Sequence, residues 1–214
     1  MTLIHEAGGW MGRVAQGAGY TVQLLIRTVG SLHYLPRRLR FLLDNAYAVG
    51  VLALPVTAVV AFFAGMILAL QTGIELKDLG QSQLIGNIIA LSMCREMGPF
   101  MTALILAATV GSKMAAEVGT MTVSEEVTAL DVMSIDATNY LVLPRTVAMT
   151  VMCPIMTIFS DLIGIAGGAA ICSQHLGITQ YTYWHAVRES LLTVETLFPK
   201  DVWVGLFKAL VFGA

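Results

Sequence analysis

The chain has 214 residues, of which 57% are hydrophobic and 12% charged, and its formal net charge is -2. An ordinary soluble domain carries roughly 25% charged residues, and binding to a phosphate backbone needs a cationic excess that is absent here. A mean hydropathy of +0.76 also excludes a disordered tail, so the composition points to an integral membrane protein, and the long apolar runs described next make it an all-α polytopic helical bundle.

Residues 1–44 mix aliphatic and aromatic side chains with Arg13, Arg27, Arg37, Arg38 and Arg40. This pattern predicts an interfacial helix with its arginines at the headgroups, or else a cytoplasmic helix packed on the bundle. Residues 45–74 carry no charge and exceed the roughly 20 residues a spanning helix needs, which makes them the first span. Pro55 implies either a kink or a later start to the membrane part. A second span is expected over 84–112, with Arg95 and Glu96 near its middle and a break favoured at Gly98-Pro99. A third covers 140–172, interrupted by Pro154 and Asp161, and is followed by a mixed segment at 173–199 that is expected in the periplasm, as is the 75–83 loop. Residues 201–214 are apolar but too short to cross. No repeat or flexible linker divides the chain, so 1–214 reads as one transmembrane domain. The basic residues before the first span place the N-terminus in the cytoplasm, and with it the loop that follows span two.

Arg95 and Glu96 are the most informative pair. A charge near the bilayer centre costs at least ~2.5–3.5 kcal/mol, so such a pair implies function unless the span begins after it. Neighbours on a helix point about 100° apart, so each needs a partner on another helix or another copy of the chain. Asp161 reads as intramembrane polar glue or a cavity-side group. Lys208 reads as a similar partner or as a snorkelling side chain. In the loop, Thr122 and Glu125 have capping-box spacing, Val123, Val127 and Leu130 share a face, and Asp136 can cap the succeeding segment. These predict a cytoplasmic amphipathic helix over 122–136, either docked on a partner or simply solvated. Gly65, Gly111, Gly164, Gly167 and Gly168 suit close helix packing, including packing in a dimer. Cys94, Cys153 and Cys172 lie in apolar runs and read as small buried hydrophobes, and the four histidines lack metal-ligand spacing. No metal is expected.

The runs ALSMCREMGP (90–99), GSKMAAEVGTM (111–121) and SEEVTALDVMSIDATNYLVLPR (124–145), with GMILALQ (65–71), IGIAGG (163–168) and DVWVGLFKALVFG (201–213), together resemble the MlaE family. These are permease subunits of Mla/Mce-type lipid ABC transporters. The resemblance implies a multi-pass protein of the bacterial inner membrane. It also implies a homodimer with two ABC ATPase subunits, moving phospholipid to or from a periplasmic Mce-domain carrier. It places Arg95, Glu96, Leu68, Leu76 and Leu79 at the lipid cavity. Glu117, Glu125, Glu126, Leu130, Met133 and Asp136 fall in the segment that couples to the ATPase. ATP and magnesium would then sit on that partner, with no cofactor in this chain, no enzymatic activity of its own and no nucleic acid. Glu75 stands where an apolar cavity residue is often found. Family members run on through a fourth and fifth span, so the resemblance implies that this sequence stops inside the fourth.

The alternatives are an ion-coupled transporter or channel relaying through Arg95, Glu96 and Asp161, an intramembrane enzyme, and a structural anchor. The enzyme lacks a GxSxG or HExxH signature, and no phosphate-binding GxxxxGK[ST] run makes the chain its own ATPase.

Overall fold

The computed structural model describes residues 39–133, 143–192 and 200–213, together with Gly19. The expected interfacial helix therefore lies almost wholly outside the described residues, as does Asp136. The described residues are helical with short connections and contain no strand.

Helix α1 spans Leu39–Asp78 and passes through Pro55 without a break. The first span is thus longer than its uncharged stretch, because nothing at either end stops the helix. A second helical run, Ser82–Val123, is assembled from α2 (Ile85–Ser92), a π turn (Met93–Met97), α3 (Gly98–Leu106), a second π turn (Ala107–Gly111) and α4 (Ser112–Val123). The break expected at Gly98-Pro99 does not occur. Proline lacks an amide donor and its ring crowds the carbonyl one turn back; placed in the first turn after a widened π turn, it is accommodated without ending the helix.

The run also continues well past the expected limit at residue 112. Helix α5 is short, Glu126–Val132, and is separated from α4 by a turn at Ser124 and Glu125. A single 122–136 helix with a capping box is therefore not what forms. Thr122 Oγ1 donates backwards to the Val118 carbonyl, and Ser124 Oγ to that of Thr120, so both hydroxyls finish the preceding helix. Glu125 turns the chain with φ 58°. Val123 consequently lies outside α5 and is 85% exposed.

Helix α6 (Leu143–Gln174) is the third span and carries Pro154 internally; α7 (Gln180–Leu192) and α8 (Lys200–Gly213) come after it. Three helices are long and apolar enough to cross a membrane: Leu43–Asp78, Ser82–Val123 and Leu143–Gln174.

Glycines set the packing. A side chain on Gly65 would run into the backbone of Gly164, one on Gly167 into the Phe62 carbonyl, and one on Gly50 into Met152. Helices α1 and α6 therefore lie side by side, parallel, at backbone contact. Backbone approach of this kind is what holds membrane helices together where lipid removes the hydrophobic drive. The small residues thus serve packing inside one chain, apart from Gly111, which faces open space.

Two buried clusters fill the bundle at different depths. One gathers Ile85, Ile89, Met93, Cys94, Ile165, Cys172 and Tyr183; the other gathers Val49, Ala53, Leu106, Val110, Cys153 and Met156. All three cysteines are free and buried. Phe63, Ile67, Phe100, Leu104, Phe159 and Leu162 are exposed, which is the arrangement expected of a surface that meets lipid rather than water.

Candidate functional site

The π turn Met93–Met97 divides its residues between two environments. Met93 and Cys94 are buried in the core, while the side chains of Arg95 and Glu96 are 55% and 61% exposed. A widened turn alters side-chain phasing locally, and such turns recur at functional sites. Here it presents a cation and an anion side by side on an otherwise apolar span.

Helix α8 supplies the complement. Lys208 Nζ donates to Glu96 Oε1 at 2.5 Å and to the Arg95 carbonyl at 3.4 Å, while Arg95 Nη1 lies 3.7 Å from Asp201 Oδ1. Both partners thus come from another helix, as the 100° divergence of neighbours requires, and both lie in the same chain. Asp201 and Lys208 are seven residues apart, two turns along one face of α8. Between them on that face is Gly205, where any Cβ would strike the Cys94 carbonyl and approach the Pro99 ring. Only glycine lets α8 lie flat on the π turn with an ion pair on each side. Asp201 and Gly205 escape a reading based on single charges. Their signal is the i, i+4, i+7 spacing of Asp, Gly and Lys on one short helix.

The other expected cavity residues divide. Leu68 and Leu76 are half-buried against the cluster that holds Met93 and Cys94, the inner side of the same turn. Leu79 follows the end of α1 and is 72% exposed, and Glu75 is exposed as well. Asp161 is buried behind the π turn: a side chain on Gly98 would collide with its Oδ1, which has no hydrogen-bond partner among the described residues. It therefore stands apart from Arg95 and Lys208, inside the helix packing.

At the other end of the run, Glu117 is engaged within the chain. Its Oε2 lies 2.8 Å from Arg145 Nη2 on α6, and its Oε1 lies 3.9 Å from Lys113 Nζ. Glu125 and Glu126 are exposed, Leu130 is half-buried, and Met133 is 60% exposed. These residues form the outer surface of a short connecting segment. Among the described residues no group of three metal-ligating side chains occurs.

Long apolar spans, backbone-packed glycines and charges displayed on one wall define a polytopic helical membrane protein. The family described as Permease MlaE matches residues 42–214, and the chain belongs to that family. It is similar to a probable ABC transporter permease protein of Rickettsia prowazekii, at 33% identity over 100% of this chain and 80% of that protein. A probable ABC transporter permease protein of Synechocystis is 35% identical over 98% of this chain and 76% of its own length. The intermembrane phospholipid transport system permease protein MlaE of Haemophilus influenzae is 30% identical over 80% of this chain and 64% of its own length.

Proposed function

We propose that the chain is the membrane-embedded permease subunit of an ABC-type transporter that moves phospholipid between the inner membrane and a periplasmic Mce-domain carrier. Two copies would associate, each with an ABC ATPase subunit that holds the ATP and magnesium. The N-terminus and the α4–α5 segment would face the cytoplasm, where the arginines preceding α1 favour them.

The observation that carries this reading is the paired charge set on the π turn. Phospholipid has two acyl chains that need an apolar surface and a headgroup that needs polar partners at the same place. The exposed apolar side chains of the spans, such as Phe100 and Leu104, would supply the first need and Arg95 and Glu96 the second, with Leu68 and Leu76 half-buried on the inner side of the same turn. Arg95, at 3.7 Å from Asp201, is loosely held, so its guanidinium is free to turn to a phosphate, which it matches bidentately. Glu96 and Lys208 hold the neighbouring wall in place and offer a carboxylate to a headgroup amine. ATP-driven closure of the partner subunits would press on α5 and its flanking turns at Glu125, Glu126, Leu130 and Met133 and, through the Ser82–Val123 run, shift the π turn.

The test is a mild-detergent pull-down of the full-length protein from native membranes, with mass spectrometry of the proteins and lipids recovered. Recovery of an ABC ATPase, an Mce-domain protein and phospholipid is the expected outcome. Recovery of the chain without any ATPase would refute it, and would turn attention to ion coupling through Arg95, Glu96 and Asp161.

A further inference from the structure

A second polar site lies at the opposite end of the spans. Lys113 comes eighteen residues after Arg95 along one nearly continuous helical run, roughly 27 Å at 1.5 Å per residue. There, a cavity opens between three helices: Asn45, Val49 and Leu52 line it from α1, Lys113 and Glu117 from α4, and Arg145 from the first turn of α6. Arg145 is the unusual member. It is only 9% exposed, yet just one of its two terminal nitrogens is matched: Nη2 meets Glu117 at 2.8 Å, while Nη1 is buried with no hydrogen-bond partner among the described residues. A buried charged donor with an unmet bond is costly, and native structures place such groups where something else completes them. Lys113 adds a second cation whose own contact with Glu117 is long, at 3.9 Å. Among the described residues that line it, two cations stand against one carboxylate, a net positive charge.

The surroundings narrow the ligand. Residues 45–74 are uncharged, so Asn45 and Leu52 mark the boundary where polar interface gives way to hydrocarbon. Leu52 is 51% exposed and Val51 52%, so an apolar surface continues outward from the cavity toward the membrane. A site with arginine and lysine at the interface and aliphatic surface alongside fits a phosphate that carries acyl chains. Basic pockets between spanning helices take headgroups in this manner.

We infer that Lys113 and Arg145 form a phosphate-binding site at this end of the bundle, and that its ligand is the headgroup phosphate of a membrane phospholipid. The site is separate from the wall at Arg95 and does not rest on the transport reading. It requires only that the chain be embedded in a bilayer.

The test uses the full-length protein in phosphatidylcholine nanodiscs doped with spin-labelled phosphatidylglycerol or with spin-labelled diacylglycerol of the same chain length. Electron paramagnetic resonance then reads the motionally restricted fraction. The phosphate-bearing probe should be restricted in preference to the diacylglycerol. Lys113→Gln, a change at a half-exposed side chain, should weaken that preference roughly tenfold, as expected for loss of a charge-assisted contact. Arg145→Gln combined with Glu117→Gln, which leaves no buried charge unpaired and only the half-exposed Lys113 as a cation, should abolish it. Inorganic phosphate in the buffer separates the two sources of the same chemistry. Preference that survives it supports the lipid headgroup. Phosphate binding by titration calorimetry that is lost in both variants, without lipid preference, would overturn the lipid assignment in favour of a free phosphate. Equal restriction of both probes, unchanged by either variant, would overturn the site altogether. Copurification of ATPase and Mce protein, measured on the same variants, reports separately on the transport reading.

Discussion

Lys208 and Glu96, 112 residues apart in sequence, meet at 2.5 Å where α8 crosses the π turn of the second span. The bond joins two elements whose charges would each be expensive beside lipid, and together they neutralise one another. It also fixes the turn that carries Arg95. The loose Arg95–Asp201 contact on the other side leaves that guanidinium the more mobile of the two cations.

Glu96→Lys and Lys208→Glu should each loosen α8 from the second span, seen as a lower thermal unfolding midpoint in detergent. The double exchange should recover most of that loss, because the pair is restored with its polarity reversed. Recovery of stability without recovery of lipid transfer would assign Glu96 a direct contact with substrate. A double variant no more stable than the singles would show that the pairing does not hold α8.

Asp201→Asn should behave differently. At 3.7 Å between half-exposed side chains, the Arg95 pair contributes no more than about 1 kcal/mol, so stability should change little. Arg95→Ala should leave folding intact while lipid transfer falls. Normal transfer by that variant would remove Arg95 from the proposed cavity.

Gly65→Ala should destabilise by about 1–3 kcal/mol, since the new methyl group meets the Gly164 backbone and the two helices must separate. Gly111→Ala, where a methyl group meets open space, should be neutral or stabilising by up to about 1 kcal/mol. The comparison is made by thermal unfolding of the two variants side by side. Equal loss in both would mean that the helices do not touch at Gly65.

Glu117→Ala should cost about 1–3 kcal/mol, less than for a fully buried pair because the glutamate side chain is 42% exposed. What it leaves behind is a buried arginine with neither terminal nitrogen matched. Adding Arg145→Met should return most of the loss. Denaturation of the single and double variants measures both effects, and a further drop in the double would show that Arg145 has another anionic partner.

Glu125 occupies the left-handed region at φ 58°, where a side chain costs roughly 1–2 kcal/mol relative to glycine. Glu125→Gly should therefore stabilise the α4–α5 turn while removing one carboxylate from the proposed ATPase-facing surface. Reversal of Glu125 and Glu126 to lysine should uncouple ATP hydrolysis from transfer, measured in the reconstituted complex. Normal coupling in the reversed variant would dismiss that surface as the contact.

The amino-acid sequence by itself determined the class of protein and its spans. A low charge content, one uncharged stretch the length of a bilayer and two more with few charges leave few other solutions, and Arg95 and Glu96 stand out against that apolar background because charge in hydrocarbon is rare. Family motifs such as ALSMCREMGP added the MlaE relationship, which covers residues 42–214. Tertiary structure decided what these residues touch. The face shared by Val123, Val127 and Leu130 suggests one helix, yet Val123 ends α4 while Val127 and Leu130 lie on α5, because the chain turns at Glu125. Gly98-Pro99 suggests a break, but a π turn absorbs the missing donor. The glycines that suit a dimer are used against Gly164 and Phe62 of the same chain, and the partners of Arg95 and Glu96 lie more than a hundred residues away on α8. Hydropathy is a local property that survives in the linear sequence, whereas an ion pair or a backbone contact exists only once distant helices have chosen their neighbours.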